Sequence, residues 1–197
     1  EDVIAEAAAE AGMRAVCAET IMKWPTPDAE SYDESLAMCR RFVETWRDHP
    51  LVTPAVGPHS PETTTPELLQ QSAQLAAEYG APLLIHIAET AGGADEARAL
   101  YGASSMEALD KLGMLGQRVV VAHCVHVTAE ERAIMAARGV GMTHCPTSNL
   151  KLASGVAPKV AILGKGINVG IGTDGPASNN RLDMWGEMRL AALLAKG

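Results

Sequence analysis

The chain has 197 residues, 47% of them hydrophobic, with a formal net charge of -8. That apolar content supports a sizeable core, yet the length falls short of the roughly 250 residues of a complete (β/α)8 barrel. The acidic balance, without a lysine or arginine cluster, excludes the electrostatic footprint of a nucleic-acid or anionic-membrane binder and points to a small neutral or cationic partner.

Residues 1–12, rich in Ala and Glu, predict a helix stopped by Gly12, and their acidic start is unlike the basic end of a signal peptide. An extended apolar stretch follows at residues 13–21. Residues 32–48 carry Leu36, Met38, Phe42, Val43 and Trp46, mostly at helical spacing, before a strand-like run at 51–57. The segment 65–80 has Thr65 as N-cap, Pro66 at the first helical position and Gly80 as its stop, and PLLIHI (82–87) reads as a short buried strand. Three more pairs follow: SMEALDKLG before RVVVAH, TAEERAIMAARG before VGMTH, and VAPKVAILGKG before INVGIG.

Six strands thus alternate with helices. Several are continuous apolar runs, the mark of a parallel sheet buried on both faces. The doubly wound alternative would require a GxGxxG turn after a strand, and neither the AGG at 91–93 nor GIGTDG at 170–175 has that spacing. The expected fold is therefore α/β, a TIM-type (β/α)8 barrel. No apolar run approaches the roughly 20 residues of a membrane span. Cys17, Cys39, Cys124 and Cys145 show no CxxC spacing, which predicts reduced thiols and a cytoplasmic location.

In such a barrel the catalytic side chains sit at the C-terminal ends of the strands. His59, His86, His123, His144 and Asp174 all fall at or just beyond predicted strand ends. Each taken singly is compatible with a hydrogen-bonded structural residue; as a set, imidazoles and a carboxylate match the ligands of zinc or a similar divalent ion. Cys124 and Cys145 follow histidines directly, and successive strand residues point to opposite sides, so both read as packing residues. His49 and His126 read as ordinary. Glu89, three residues after His86, is placed to bend over the barrel mouth and move a proton.

The motifs LLIHIAET, VVVAHCVHV, THCPTSNLKLASGVAPKVAIL and VGIGTDGPASNNRLDMWGEMRLAALL resemble those of the metal-dependent amidohydrolase superfamily, in the branch of 5-methylthioadenosine/S-adenosylhomocysteine deaminases and triazine hydrolases. The resemblance implies that His86 and Asp174 bind the metal and that Asp174 also accepts the proton of the attacking water. It further implies that His123 hydrogen-bonds the water or the developing tetrahedral centre, that Glu89 protonates a ring nitrogen, and that His59 in GPHSP contacts substrate. Ser148, Asn149 and Lys151 are read as wall or structural members of their motif. Zinc is the implied ion, with iron, manganese and nickel admitted by the same ligand types.

The family's HxH motif is absent from this sequence, and with six strands rather than eight the chain reads as residues 1–197 of a partial barrel, its third to eighth strands, lacking the N-terminal strands and the C-terminal region. Such a piece alone is expected to bind zinc weakly, to be inactive, and to expose strand edges at 14–21 and 167–172. No Arg lies between Arg14 and Arg40 to bind the carboxylate of an adenosylhomocysteine tail, and Glu19 stands nearby. The implied activity is hydrolytic deamination of an adenine nucleoside or similar aminated heterocycle, with no nucleic-acid or membrane partner. The alternatives are a triazine-type hydrolase removing chloride or a substituted amine, and a non-catalytic barrel subunit. Substrate and oligomeric state, a homo-oligomer included, stay open.

Overall fold

The computed structural model describes residues 1–196. It is an α/β fold of six parallel strands that pair in chain order, and it divides within the third strand into two compact units, Glu1–Ile85 and the residues from His86 onward.

In the first unit, α1 (Asp2–Glu10) leads into β1 (Ala15–Ile21), α2 (Tyr32–Trp46) into β2 (Val52–Pro58), and α3 (Pro66–Tyr79) into the start of β3 (Leu83–Ile87). The β1–β2 register runs from Ala15 opposite Val52 to Ile21 opposite Pro58, and Val56 of β2 lies opposite Leu83. Helix ends follow local chemistry. Ser31 caps α2 by accepting from Glu34 N–H, Thr65 caps α3 by accepting from Leu68 N–H, and Gly80 ends α3 at φ +62°, a left-handed conformation that glycine adopts without strain. Ala5, Cys17, Phe42 and Val52 form a buried cluster with Trp46 packed against it, and Trp46 Nε1 donates to Asp2 Oδ1 at 2.7 Å.

The second unit continues through α4 (Ala91–Tyr101), α5 (Ser105–Lys111), β4 (Val119–His123), α6 (Ala129–Arg138), β5 (Gly141–His144), α7 (Pro146–Lys151), α8 (Lys159–Leu163), β6 (Val169–Ile171), α9 (Pro176–Asn179) and α10 (Met184–Leu194). Cys124 N–H donates to Ile87 O at the end of β3, Ala122 of β4 lies opposite Thr143 of β5, and His144 lies opposite Ile171 of β6. Reciprocal capping boxes, Ser104 with Glu107 and Thr128 with Glu131, start α5 and α6.

All six expected strands are present. Four helices go beyond the sequence expectation. α4 has Gly92 and Gly93 in its first turn and buries only Ala94 and Ala97, so it has no apolar stripe to announce it. α7 and α9 are short helices of six and four residues after strand ends, started by Pro146 and Pro176. α10 has apolar side chains on its exposed faces, Trp185 being 80% exposed. Among the described residues no helix is long and apolar enough to cross a membrane.

Candidate active site

The second unit concentrates its polar groups where β3, β4 and β6 end. His86 is the fourth residue of β3 rather than its last, and Ile87 follows it inside the strand. The chain then takes a left-handed step at Ala88 (φ +47°), Glu89 follows, and Thr90 caps α4 by accepting from Gly93 N–H at 3.0 Å. Glu89 therefore lies on the turn between a strand and a helix start, partly exposed.

His123 closes β4. It and Cys124 both have positive φ, +68° and +50°, which a side chain with a Cβ rarely adopts. The strain is offset by backbone pairing: Cys124 N–H donates to Ile87 O at 3.0 Å and His126 N–H to Ala88 O at 2.9 Å. His123 takes the buried phase of its strand, as Val119 and Val121 do. Its buried ring stacks on His86, centroids 5.4 Å apart at 24°, and its Nε2 lies 3.7 Å from Glu89 Oε2, beyond a hydrogen bond. Its Nδ1 is 2.8 Å from Asn149 Oδ1.

Asp174 stands three residues beyond β6 at φ +61°. Ser148 Oγ and Ser178 Oγ donate to its Oδ2 at 2.6 and 2.7 Å, and Gly175 N–H donates to its Oδ1 at 2.7 Å. Burial pushes the carboxyl pKa up, but these three hydrogen bonds to the charged form outweigh it and hold the group below its ordinary value.

Behind Asp174 lies a buried network that sequence reasoning missed. Glu187 of α10, 2% exposed, accepts from Thr147 N–H at 3.1 Å and from Asn179 Nδ2 at 2.8 Å, and the same Asn179 nitrogen donates to Thr173 O at 2.6 Å. One carboxylate thus ties the turn before Ser148 to the turn around Asp174. A glutamate in a helix whose other residues, Arg189 aside, are apolar or glycine was the available signal.

The structure brings His86, Glu89 and His123 together, and links Asp174 to them through Ser148 and Asn149, neighbours on α7. His59 belongs to the first unit, where its Nδ1 lies 2.9 Å from Thr63 Oγ1. His144, grouped in sequence with the strand-end histidines, shares the buried alternation of Met142 and lines a cavity of about 480 Å³ with Ala157, Pro158, Lys159 and Leu194. That placement sets it among the helices α8 and α10. Its Nδ1 has no hydrogen-bond partner, and burial, with the Lys159 charge, lowers its pKa to about 4. His49 Nδ1 accepts from Leu51 and Val52 N–H, and His126 Nε2 bonds Ser154 O, both structural roles. Glu19 is buried on β1, where desolvation raises its pKa. The four cysteines are buried free thiols; burial pushes Cys39 and Cys145 up to about 12 and Cys124 up as well.

An imidazole and a carboxylate are suitable donors for a divalent ion. Among the described residues, however, no group of three or more His, Cys, Asp or Glu side chains could hold one. The donor set fits by type and falls short in number.

Parallel strands alternating with helices, histidines and acids at the strand ends, and an aspartate held by hydroxyls after the last strand define a class. The chain belongs to the amidohydrolase family, whose model matches residues 2–196. It is 46% identical over 196 residues to a 5-methylthioadenosine/S-adenosylhomocysteine deaminase of Moorella thermoacetica, covering 100% of this chain and 45% of that protein. An adenosine deaminase from Xanthomonas campestris, solved with bound zinc, superposes with a TM-score of 0.95 at 40% identity, over 99% of this chain and 44% of its own. A triazine hydrolase from Arthrobacter aurescens superposes at 0.90 with 32% identity, over 98% of this chain and 45% of its own. The chain spans a little under half the length of these relatives, as an incomplete (β/α)8 barrel.

Proposed function

We propose that this chain is the catalytic half of a zinc-dependent hydrolytic deaminase acting on an adenine nucleoside or a similar aminated heterocycle. The observation that carries this reading is the cluster of Glu89, His123 and His86, joined by adjacent α7 residues to the hydroxyl-held Asp174, in a chain 46% identical to a deaminase. His86 and Asp174 would hold the ion. In a parent protein of the relatives' length, the donors missing from this set would come from the length that this chain does not span. When bound, the ion supplies hydroxide near neutral pH by lowering the pKa of water.

The chain's own residues then divide the proton work. Asp174 accepts the proton of the attacking water, His123 hydrogen-bonds the oxygen being added, and Glu89 gives a proton to the ring nitrogen beside the attacked carbon. Asp174 then passes its proton to the amino group, ammonia leaves, the added hydroxyl returns a proton to Glu89, and the amino-bearing carbon becomes a carbonyl. The proposed substrate contact of His59 rests on the resemblance of GPHSP, and a cytoplasmic location on the four reduced thiols.

The test is ammonia release by the full-length parent protein, loaded with zinc, from adenosine, 5'-deoxyadenosine, methylthioadenosine, S-adenosylhomocysteine and an aminotriazine. Turnover of a nucleoside is expected, with adenosylhomocysteine poor because no Arg stands between Arg14 and Arg40. Chloride or alkylamine release from a triazine, without nucleoside turnover, would select the second reading, which the likeness to a triazine hydrolase favours. No turnover of either class would leave the non-catalytic subunit.

A further inference from the structure

Asn149 is 1% exposed, and its Oδ1 meets Nδ1 of His123 at 2.8 Å. An amide oxygen only accepts, so this contact requires a hydrogen on Nδ1 and, in the neutral ring, leaves Nε2 with a lone pair. Turned the other way, the amide would donate to Nδ1, and the hydrogen would sit on Nε2, aimed at the Glu89 carboxylate. An N–H facing a carboxylate closes to about 2.7–2.9 Å. The observed Nε2 to Oε2 separation is 3.7 Å, so no such bond is made. In either orientation one amide atom stays unpaired; here it is Asn149 Nδ2.

The amide sits on a rigid mount. Asn149 N–H donates to Cys145 O at 3.0 Å, and Asn149 O accepts from Ser154 N–H at 2.8 Å. Its neighbour Ser148 holds Asp174, and Thr147 N–H is fastened to Glu187. One turn of α7 therefore holds a histidine from β4 and an aspartate from beyond β6.

We propose that Asn149 is a positioning residue that locks His123 in the Nδ1–H tautomer, so that Nε2 turns an acceptor toward the attacking water and Glu89. The catalytic consequence rests on the function proposed above for His123; the tautomer itself does not.

The experiment is nitrogen-15 NMR of the full-length protein labelled at histidine, the His123 signals being assigned by their loss in His123→Gln. The expected wild-type ring is Nδ1–H. In Asn149→Leu the ring should pass to Nε2–H or a mixture, with kcat lower by about 10- to 100-fold and KM little changed. Asn149→Asp keeps an acceptor oxygen and should restore the Nδ1–H signature and most of kcat. A wild-type ring protonated at Nε2 overturns the proposal, as does an Nδ1–H signature that persists in Asn149→Leu. Should the leucine variant not fold, the wild-type and aspartate spectra still decide. A protein that turns over no substrate but shows the Nδ1–H ring would refute the deaminase reading and leave the tautomer lock standing.

Discussion

The two units use polar groups differently. In the first, side-chain hydrogen bonds are mostly short-range caps and turn bonds, such as those among His59, Ser60, Thr63 and Thr64, and surface pairs, such as Arg40 with Glu78 and Tyr79, beside a small apolar cluster. In the second, buried and half-buried groups from two strand ends and three helices interlock: His123 with Asn149, Asp174 with Ser148 and Ser178, Glu187 with Thr147 and Asn179. Backbone strain follows the same division. All six described non-glycine residues with positive φ (Ala88, His123, Cys124, Ala153, Asp174 and Asn180) lie in the second unit. Strained backbone persists where surrounding bonds over-determine it, and here it turns polar side chains at strand ends. The first unit is built for packing and the second for placing charge.

That contrast can be broken from its strongest point outward. Asp174→Asn keeps the shape of the hydroxyl-held group but removes the proton acceptor, and turnover by the full-length protein should fall by about 10⁴-fold or more with circular dichroism unchanged. Near-normal rates would strip Asp174 of its role. Glu89→Gln should cost about 10²- to 10⁴-fold in turnover while zinc content, read by atomic absorption, stays at the wild-type level.

Glu187→Ala would leave Thr147 N–H and Asn179 Nδ2 short of a buried acceptor, at a cost of about 4 kcal/mol in urea unfolding. An unfolding midpoint within error of wild type would show that the network is not what holds the second unit's turns. His144 adds a pH dependence. Its folded pKa of about 4 lies below the unfolded value near 6.5, so as pH falls the unfolded chain takes up the proton first. The stability is fully present above about pH 6.5 and is lost toward pH 4, a change of roughly 3 kcal/mol. Lys159 and His123 favour the neutral ring, and Glu187 opposes them. Urea titrations at pH 7.5 and 4.5 should differ by that amount less in His144→Gln than in wild type. In the first unit the largest comparable effect is a lost cap: Thr65→Ala, which orphans Leu68 N–H, should cost only about 1 kcal/mol.

Much of this molecule was legible along the chain. Thr65, Pro66 and Gly80 announced α3 because capping and left-handed termination act within a few residues, and the six apolar runs announced the strands because burial on both faces demands them. His86, Glu89, His123 and Asp174 were found as candidates by position relative to those strands. α4 was not, since alanines and glycines bury little and carry no period.

His144 shows the limit most clearly. In sequence it ends a strand as His123 does, and both hold the buried phase of their strands, yet His144 lines a cavity with residues of α8 and α10 whereas His123, at φ +68°, stacks on His86. The linear sequence by itself determined the element order, the caps and the candidate residues, because propensity, burial and capping are local or periodic. Only the tertiary structure decided that Asn149 meets His123, that Ser148 meets Asp174, and that Glu187 meets Thr147, because those partners lie 26 to 40 residues apart and only folding closes the loops between them.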